Sequence, residues 1–129
     1  MRLLLDTHIL VWLLIDDDRV SETVLRHVRS LRNQVYVSAI SAYEIGLKFQ
    51  RGRWPEVAPL ALGFEQICEE SGFEILLVSA RHAREAGALR LDHRDPFDRL
   101  LAAQAVAEDM PILSADPALD LFGVERIWD

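Results

Sequence analysis

Acidic residues accompany short apolar runs at four places in the chain, and carboxylates are the chemistry that this pattern suggests. In chain order they are Asp6, Glu44, Asp98 and Asp116. If the apolar runs form one parallel sheet, the acids gather at the carboxyl edge of that sheet. Carboxylate oxygens without a matching cysteine or histidine cluster favour Mg²⁺ or Mn²⁺ over Zn²⁺. The sequence therefore predicts a metal-dependent enzyme.

Helix capping is the competing explanation for each acid taken alone. Aspartate is a favoured N-cap, and a Ser-x-x-Glu pattern forms a capping box. The residues that fit these patterns are Asp6, Asp95 and Asp116 as caps, Asp98 in a first turn, and Ser41 with Glu44 as a box. Four like charges crowded at one edge would repel unless cations or protons offset them. The joint pattern therefore favours a metal site over four independent caps.

The elements that must position these acids alternate between strand and helix. Apolar and β-branched runs predict strands at 2–6, 35–37, 73–78, 111–113 and 124–128. Helical spacing and capping signals predict helices at 9–14, 21–31, 41–50, 59–70, 79–89 and 95–108. This order is typical of an α/β fold, here a three-layer α/β/α sandwich around a central, mainly parallel sheet. We expect one domain over residues 1–129.

Composition narrows the functional classes. The 129 residues are 50% hydrophobic, enough for a core without disulfides, and the single cysteine, Cys68, is expected to be a small buried hydrophobe. The apolar stretch 3–15 is interrupted by Asp6-Thr7-His8, so we expect neither a membrane span nor a signal peptide but a soluble, cytoplasmic protein.

The net charge of −7 argues against broad electrostatic binding of nucleic acid. It does not exclude a nuclease, because one or two bound divalent ions would return about two to four positive charges where a phosphate sits. Lys48 is the only lysine among fourteen basic residues. The candidate contacts to an RNA backbone are Arg51, Arg53 and Arg94, with solvated surface arginines as the alternative.

Other polar residues lie next to the acids in sequence. His8 and His93 are candidate proton carriers or substrate contacts, or else local packing and loop residues. The hydroxyls of Thr7 and Ser114 could orient a carboxylate or a metal-bound water, and local bonding to the backbone explains them equally well.

Four segments together resemble a known family. They are Leu4-Leu5-Asp6-Thr7-His8, then residues 37–45 (VSAISAYEI), residues 93–105 (HRDPFDRLLAAQA) and Leu113-Ser114-Ala115-Asp116. No single segment is decisive, but their order and combination are highly specific. From about residue 3 to residue 122 the chain resembles the PIN domain and, more narrowly, the VapC toxins of toxin-antitoxin pairs.

The resemblance implies an endoribonuclease that depends on Mg²⁺ or Mn²⁺ and is inhibited by a small VapB-type antitoxin. It places the catalytic, metal-binding acids on Asp6, Glu44, Asp98 and Asp116. Asp95 is then a residue that caps the helix or supports a metal ligand without touching the metal, although the choice between Asp95 and Asp98 as the third ligand is open. In the hypothesised reaction, metal-activated water attacks the scissile phosphate and the ribose 3′-oxygen leaves.

Alternative functions and partners follow from the same residues. A phosphatase with an aspartyl nucleophile usually has a second acid two positions after the first, where this chain has His8. A receiver domain needs a lysine near its acidic pocket at a late strand, and the only lysine, Lys48, lies in another element. A catalytically inactive PIN-like binding module is the remaining alternative. Apolar residues at 9–14 and 49–54 either pack in the core or form a groove for an antitoxin helix or a homodimer face. A homodimer is expected.

Overall fold

The computed structural model describes residues 1–90, 92 and 95–129. Its strands are β1 (Arg2–Leu5), β2 (Gln34–Ser38), β3 (Glu74–Leu76), β4 (Ile112–Leu113) and β5 (Arg126–Ile127). They form one sheet in the order β3-β2-β1-β4-β5, and every neighbouring pair is parallel. The predicted parallel α/β sheet is confirmed.

Helices connect the strands. They are α1 (Thr7–Leu14), α2 (Glu22–Arg29), α3 (Ala39–Gln50), α4 (Ala58–Glu70), α5 (Ala80–Ala88) and α6 (Pro96–Ala107). Short 3₁₀ helices cover Pro55–Val57 and Pro117–Phe122. No helix in the described ranges is long and apolar enough to span a membrane.

The central strand β1 divides the core into two apolar clusters. Leu3 and Leu5 are fully buried in one cluster, to which α1, α2, α3 and α4 contribute. Leu4 belongs to the other cluster, together with Leu101 and Ala102 of α6. Successive strand side chains point to opposite faces, so this alternation places helices on both sides of the sheet. The three-layer sandwich is thereby confirmed, and Cys68 is buried in the first cluster as expected.

Serine hydroxyls cap three of the helices. Ser21 accepts a hydrogen bond from the Val24 amide, and Ser79 accepts one from the His82 amide. The third cap differs from the prediction, because α3 begins after Ser38, whose hydroxyl accepts from the Ile40 amide. The predicted capping box of Ser41 and Glu44 is therefore wrong: Ser41 is the third residue of the helix and Glu44 the sixth, so both lie inside it.

The strand predicted at 73–78 is shorter than expected. Only Glu74, Ile75 and Leu76 pair with β2, at Tyr36, Val37 and Ser38 respectively. Since Ser38 ends β2 and caps α3, the neighbouring strand offers no further backbone partner. Leu77 and Val78 are consequently exposed despite their apolar side chains.

The order in which the strands are added to the sheet changes direction at β1. The chain runs from β1 outward to β2 and β3, and then returns to the other side of β1 to form β4 and β5. In a parallel sheet the connections leaving such neighbours diverge, so a crevice opens at their carboxyl ends. Asp6 follows β1 and Ser114 follows β4 at this point.

Candidate active site

Asp6 lies at the carboxyl end of β1 and is buried, with 5% of the residue exposed. It precedes α1, but its carboxylate makes no capping hydrogen bond to that helix. Instead, Asp6 Oδ2 accepts a hydrogen bond of 2.6 Å from Ser114 Oγ. The capping explanation therefore does not account for Asp6, and the predicted orienting role of the Ser114 hydroxyl is confirmed.

The environment of Asp6 disfavours its charged form. Burial raises the pKa of the Asp6 carboxyl above its usual value of 3.8, and the negative charge of Glu44 raises it further. The hydrogen bond from Ser114 and the nearby His8 act in the opposite direction but do not compensate. A buried carboxylate of this kind gains free energy from any positive charge placed next to it.

Glu44 lies on α3 and is 4% exposed. Its Oε2 is 2.6 Å from Lys48 Nζ, one helical turn further along. The Lys48 ammonium in turn lies over the ring of Trp54, 4.8 Å from the centroid. Glu44 is therefore not a capping residue but one member of an almost buried ion pair, and it stands close enough to Asp6 for their charges to interact.

A hydroxyl pair connects the helices that carry these two acids. Thr7 Oγ1, at the start of α1, is 2.8 Å from Ser41 Oγ in α3, and both residues are fully buried. The Thr7 hydroxyl contacts Ser41, so neither carboxylate orientation nor local backbone bonding is observed for it. The contact fixes the start of α1 against α3, and hence Asp6 against Glu44.

The turn before α6 separates the roles of its two acids. Asp95 is exposed, and its Oδ1 accepts hydrogen bonds from the amides of Phe97 at 2.9 Å and Asp98 at 3.4 Å. The predicted capping role of Asp95 is confirmed. Asp98 is half-buried in the first turn of α6.

An aromatic contact joins this turn to α3. The rings of Tyr43 and Phe97 pack edge to face, with centroids 5.8 Å apart. Each ring belongs to the residue immediately before a predicted acid, Glu44 in one case and Asp98 in the other. The start of α6 is thus packed against α3.

Asp116 follows β4 by three residues and is half-buried. Its Oδ1 accepts from the Ala118 amide at 2.9 Å, as expected for an N-cap, and its own amide donates to Ser114 Oγ at 3.0 Å. Ser114 therefore contacts both Asp6 and Asp116. The capping role of Asp116 is confirmed, and its backbone amide shares the Ser114 hydroxyl with the Asp6 carboxylate.

The structure brings Asp6 and Glu44 together, with Ser114 joining Asp6 to Asp116. Within the described ranges, no three side chains of His, Cys, Asp or Glu are grouped so that they could hold a metal ion. His93 and Arg94 lie outside the described residues. His8 is exposed and contacts Trp54 and Trp12 edge to face, at 5.1 and 6.1 Å between centroids.

Two buried or half-buried side-chain contacts were absent from the prediction. The Glu44–Lys48 pair has the i,i+4 spacing of a helical ion pair, so the sequence carried a signal for it. The link between Ser38 and Gln104 joins residues 66 positions apart, and no local pattern indicates it. Arg51 and Arg53 lie exposed after α3, as a substrate contact or a solvated arginine would.

Comparison with models of protein families identifies the family of this chain. The model of the PIN domain matches residues 3–124. The chain belongs to the PIN domain family. PIN domains are generally metal-dependent nucleases, so the observed acids lie in a fold that commonly performs this chemistry. A comparison with curated proteins found no match to the sequence.

Three solved structures of similar fold are bacterial. A chain of VapBC2 from Rickettsia felis, bound to a promoter DNA fragment, has 21% identity, a TM-score of 0.73 and full coverage of both chains. VapBC-1 from nontypeable Haemophilus influenzae gives 16% identity and a TM-score of 0.70, over 98% of this chain and 97% of the other. FitAcB from Neisseria gonorrhoeae gives 23% and 0.69, over 97% and 96%.

Proposed function

We propose that this PIN domain is an endoribonuclease dependent on Mg²⁺ or Mn²⁺ and acts as the toxin of a type II toxin-antitoxin pair. One observation carries the proposal. Asp6 is buried at the reversal point of the sheet, makes no cap to the helix it precedes, and faces the charge of Glu44. A fold has no structural need for such a carboxylate, whereas a metal-dependent hydrolase does.

The donor atoms at this edge have the chemistry that a hard divalent cation prefers. The donors at this edge are carboxylate and hydroxyl oxygens, and the charged form of Asp6 lacks compensation. In this proposal Asp6, Asp98 and Asp116 hold the metal, and Glu44 completes the cluster or orients the attacking water. A bound Mg²⁺ or Mn²⁺ would supply an activated water and neutralise charge on the scissile phosphate.

The neighbouring residues have positioning roles in the proposal. Ser114 fixes the Asp6 carboxylate, and the Thr7–Ser41 contact holds α1 against α3. Asp95 is engaged by two amides of its own helix, which supports Asp98 as the acid of that turn that turns towards a metal. His8 is exposed beside Asp6, so it is a candidate to carry a proton to the leaving oxygen.

RNA is the proposed substrate. Arg51 and Arg53 are exposed at the end of the helix that carries Glu44, where they could contact a phosphate backbone. With a net charge of −7, binding would depend on these arginines and on bound metal rather than on the field of the whole protein.

A small VapB-type antitoxin is the proposed protein partner. The similar structures named above are those of VapBC and FitAcB proteins, one of them bound to promoter DNA. Of the apolar residues at 9–14, Ile9, Leu10 and Val11 are core residues. A cavity of about 130 Å³ between α1 and α4 is lined by Leu14, Ile15 and Ile67 among others, which supports a groove for an apolar helix. A homodimer remains part of the proposal.

RNA cleavage tests the proposed activity directly. A 5′-labelled RNA is incubated with the purified protein and Mn²⁺, with and without EDTA, beside the Asp6→Asn and Asp98→Asn variants. We expect chelation or either substitution to lower the cleavage rate by roughly 100-fold or more, because each removes transition-state charge stabilisation. Asp120→Asn, at an exposed aspartate paired with Arg126, should cleave like the wild type. Cleavage that persists in EDTA or in Asp6→Asn would overturn the mechanism.

One observation favours a second candidate, a catalytically inactive PIN-like module that only binds protein. Lys48 already neutralises Glu44, as expected in a domain that no longer takes a metal. Calorimetric titration with Mn²⁺ separates the two functions. Binding that is abolished in Asp6→Asn supports the nuclease, whereas no binding by the wild type favours the binding module.

A further inference from the structure

Lys48 holds an unusual position for the only lysine of the chain. Its ammonium is 2.6 Å from Glu44 Oε2 and its side chain is 25% exposed, while that of Glu44 is 6% exposed. Trp54 covers the ammonium at 4.8 Å, and His8 packs edge to face against Trp54. By contrast, the pairs Arg19–Asp17, Arg81–Glu85 and Arg126–Asp120 each have one side chain that is more than half exposed.

The ion pair lies where the protein needs positive charge. Glu44 and Asp6 are both almost fully buried, and the charge of Glu44 acts on Asp6. Two negative charges in such an environment repel each other, and a nearby cation offsets that repulsion. In the described part of the chain, Lys48 is the one cation that contacts Glu44. A protonated His8 would add a positive charge near Asp6.

We propose that Lys48 is a tethered cation that stands in for metal charge at Glu44, so that divalent metal and Lys48 compete for that carboxylate. The inference rests on the metal site of the proposed function. Without metal, the ammonium stabilises the acid cluster. When metal binds, the ammonium has to share Glu44 or leave it, and its charge opposes the arriving ion in either case. Lys48 is therefore a positioning residue that lowers metal affinity, not a catalytic residue.

The tethered charge has two opposite consequences. Removing it should make the metal-free protein less stable, because Glu44 loses its partner while remaining buried. The same change should make metal binding tighter, because competition and repulsion disappear together. A purely structural salt bridge would lower stability without improving metal affinity, so the pair of effects distinguishes the two roles.

The test compares Mn²⁺ affinity and thermal stability in charge variants of the intact protein. Lys48→Met and Lys48→Gln remove the charge, and glutamine keeps a hydrogen-bond donor. Arg81→Met is the matched control, since Arg81 forms an exposed i,i+4 pair with Glu85 and its loss changes the net charge equally. Mn²⁺ binding is measured by calorimetry, and Tm is measured with and without Mn²⁺.

We expect both Lys48 variants to bind Mn²⁺ roughly tenfold more tightly than the wild type, to melt at lower temperature without metal, and to gain more from Mn²⁺. Arg81→Met should match the wild type in Mn²⁺ affinity. Equal or weaker Mn²⁺ binding in Lys48→Met, or wild-type affinity in Lys48→Gln, would overturn the inference. Failure of the wild type to bind Mn²⁺ would instead overturn the metal site itself.

Discussion

Two buried polar clusters of this protein are built in opposite ways. The acid site contains Asp6, Glu44 and Ser114, and its two carboxylates repel each other. The glutamine network contains Ser38, Gln104 and His82 between β2, α5 and α6, and each donor in it faces an acceptor. The first cluster leaves a like-charge conflict inside the protein, and the second leaves none.

The glutamine network is saturated by complementary hydrogen bonds. Ser38 Oγ donates to Gln104 Oε1 at 2.5 Å, and Gln104 Nε2 donates to the Leu77 carbonyl and towards His82 Nδ1, both at 3.4 Å. The Ser79 amide also donates to His82 Nδ1, which leaves Nε2 to donate to Glu108 at 3.2 Å. A satisfied network of this kind rigidifies a core. The contrast teaches that unresolved charge, rather than buried polarity, distinguishes the functional cluster.

The largest predicted effect comes from breaking the saturated cluster. Gln104→Ala should lower the free energy of unfolding by about 2–4 kcal/mol, because Ser38 and His82 lose partners inside the core. Chemical denaturation measures the loss, and Mn²⁺ affinity should remain within about twofold of wild type. Gln66→Ala, at a glutamine exposed on α4, should be nearly neutral. Equal losses in the two variants would show that the network adds no stability.

A smaller effect is predicted for Asp95. Its carboxylate is already hydrogen-bonded to two helix amides, as in the glutamine network, although it lies near the acid site. Asp95→Ala should cost about 1 kcal/mol of stability, the usual value of an N-cap, with Mn²⁺ affinity unchanged. Asp98→Ala should instead weaken Mn²⁺ binding. Both are measured by denaturation and calorimetry on the same preparations. A loss of Mn²⁺ binding in Asp95→Ala would move the third ligand from Asp98 to Asp95.

The smallest effect is a gain in stability from relieving the conflict in the acid site. Without metal at pH 7, Asp6→Asn should raise stability by about 0.5–1 kcal/mol, because asparagine still accepts from Ser114 but carries no buried charge. Thermal denaturation measures the gain. Asp17→Asn serves as the control, because the hydrogen bonds from Arg19 lower the pKa of that half-buried carboxyl and no gain is expected.

The same variant has a defined pH dependence. The folded-state pKa of Asp6 is raised above 3.8, so over the interval between these values the folded protein binds more protons than the unfolded chain. Wild-type stability then rises as pH falls through the folded pKa towards 3.8. The advantage of Asp6→Asn should be complete above the folded pKa and vanish below 3.8. An advantage that persists below 3.8 would assign it to packing instead of charge.

Sequence reasoning succeeded where a local pattern carries the information. Apolar runs and serine caps predicted the order of the strands and helices, because these depend on neighbouring residues. The strand end at Leu76 could not be predicted, since it depends on where β2 ends at Ser38. The site shows the same division: Asp95 as a cap is local, whereas the bond from Ser114 to Asp6 spans 108 positions.

Diffraction from crystals soaked in Mn²⁺ shows directly whether Asp6 and the other proposed acids bind the metal. Anomalous scattering locates manganese without reference to activity. We expect a peak within bonding distance of an Asp6 carboxylate oxygen, with Asp98 or Asp116 as a further ligand and Asp95 still bonded to its helix amides. A peak elsewhere, or none at Asp6 in crystals that bind Mn²⁺ at other sites, would contradict it.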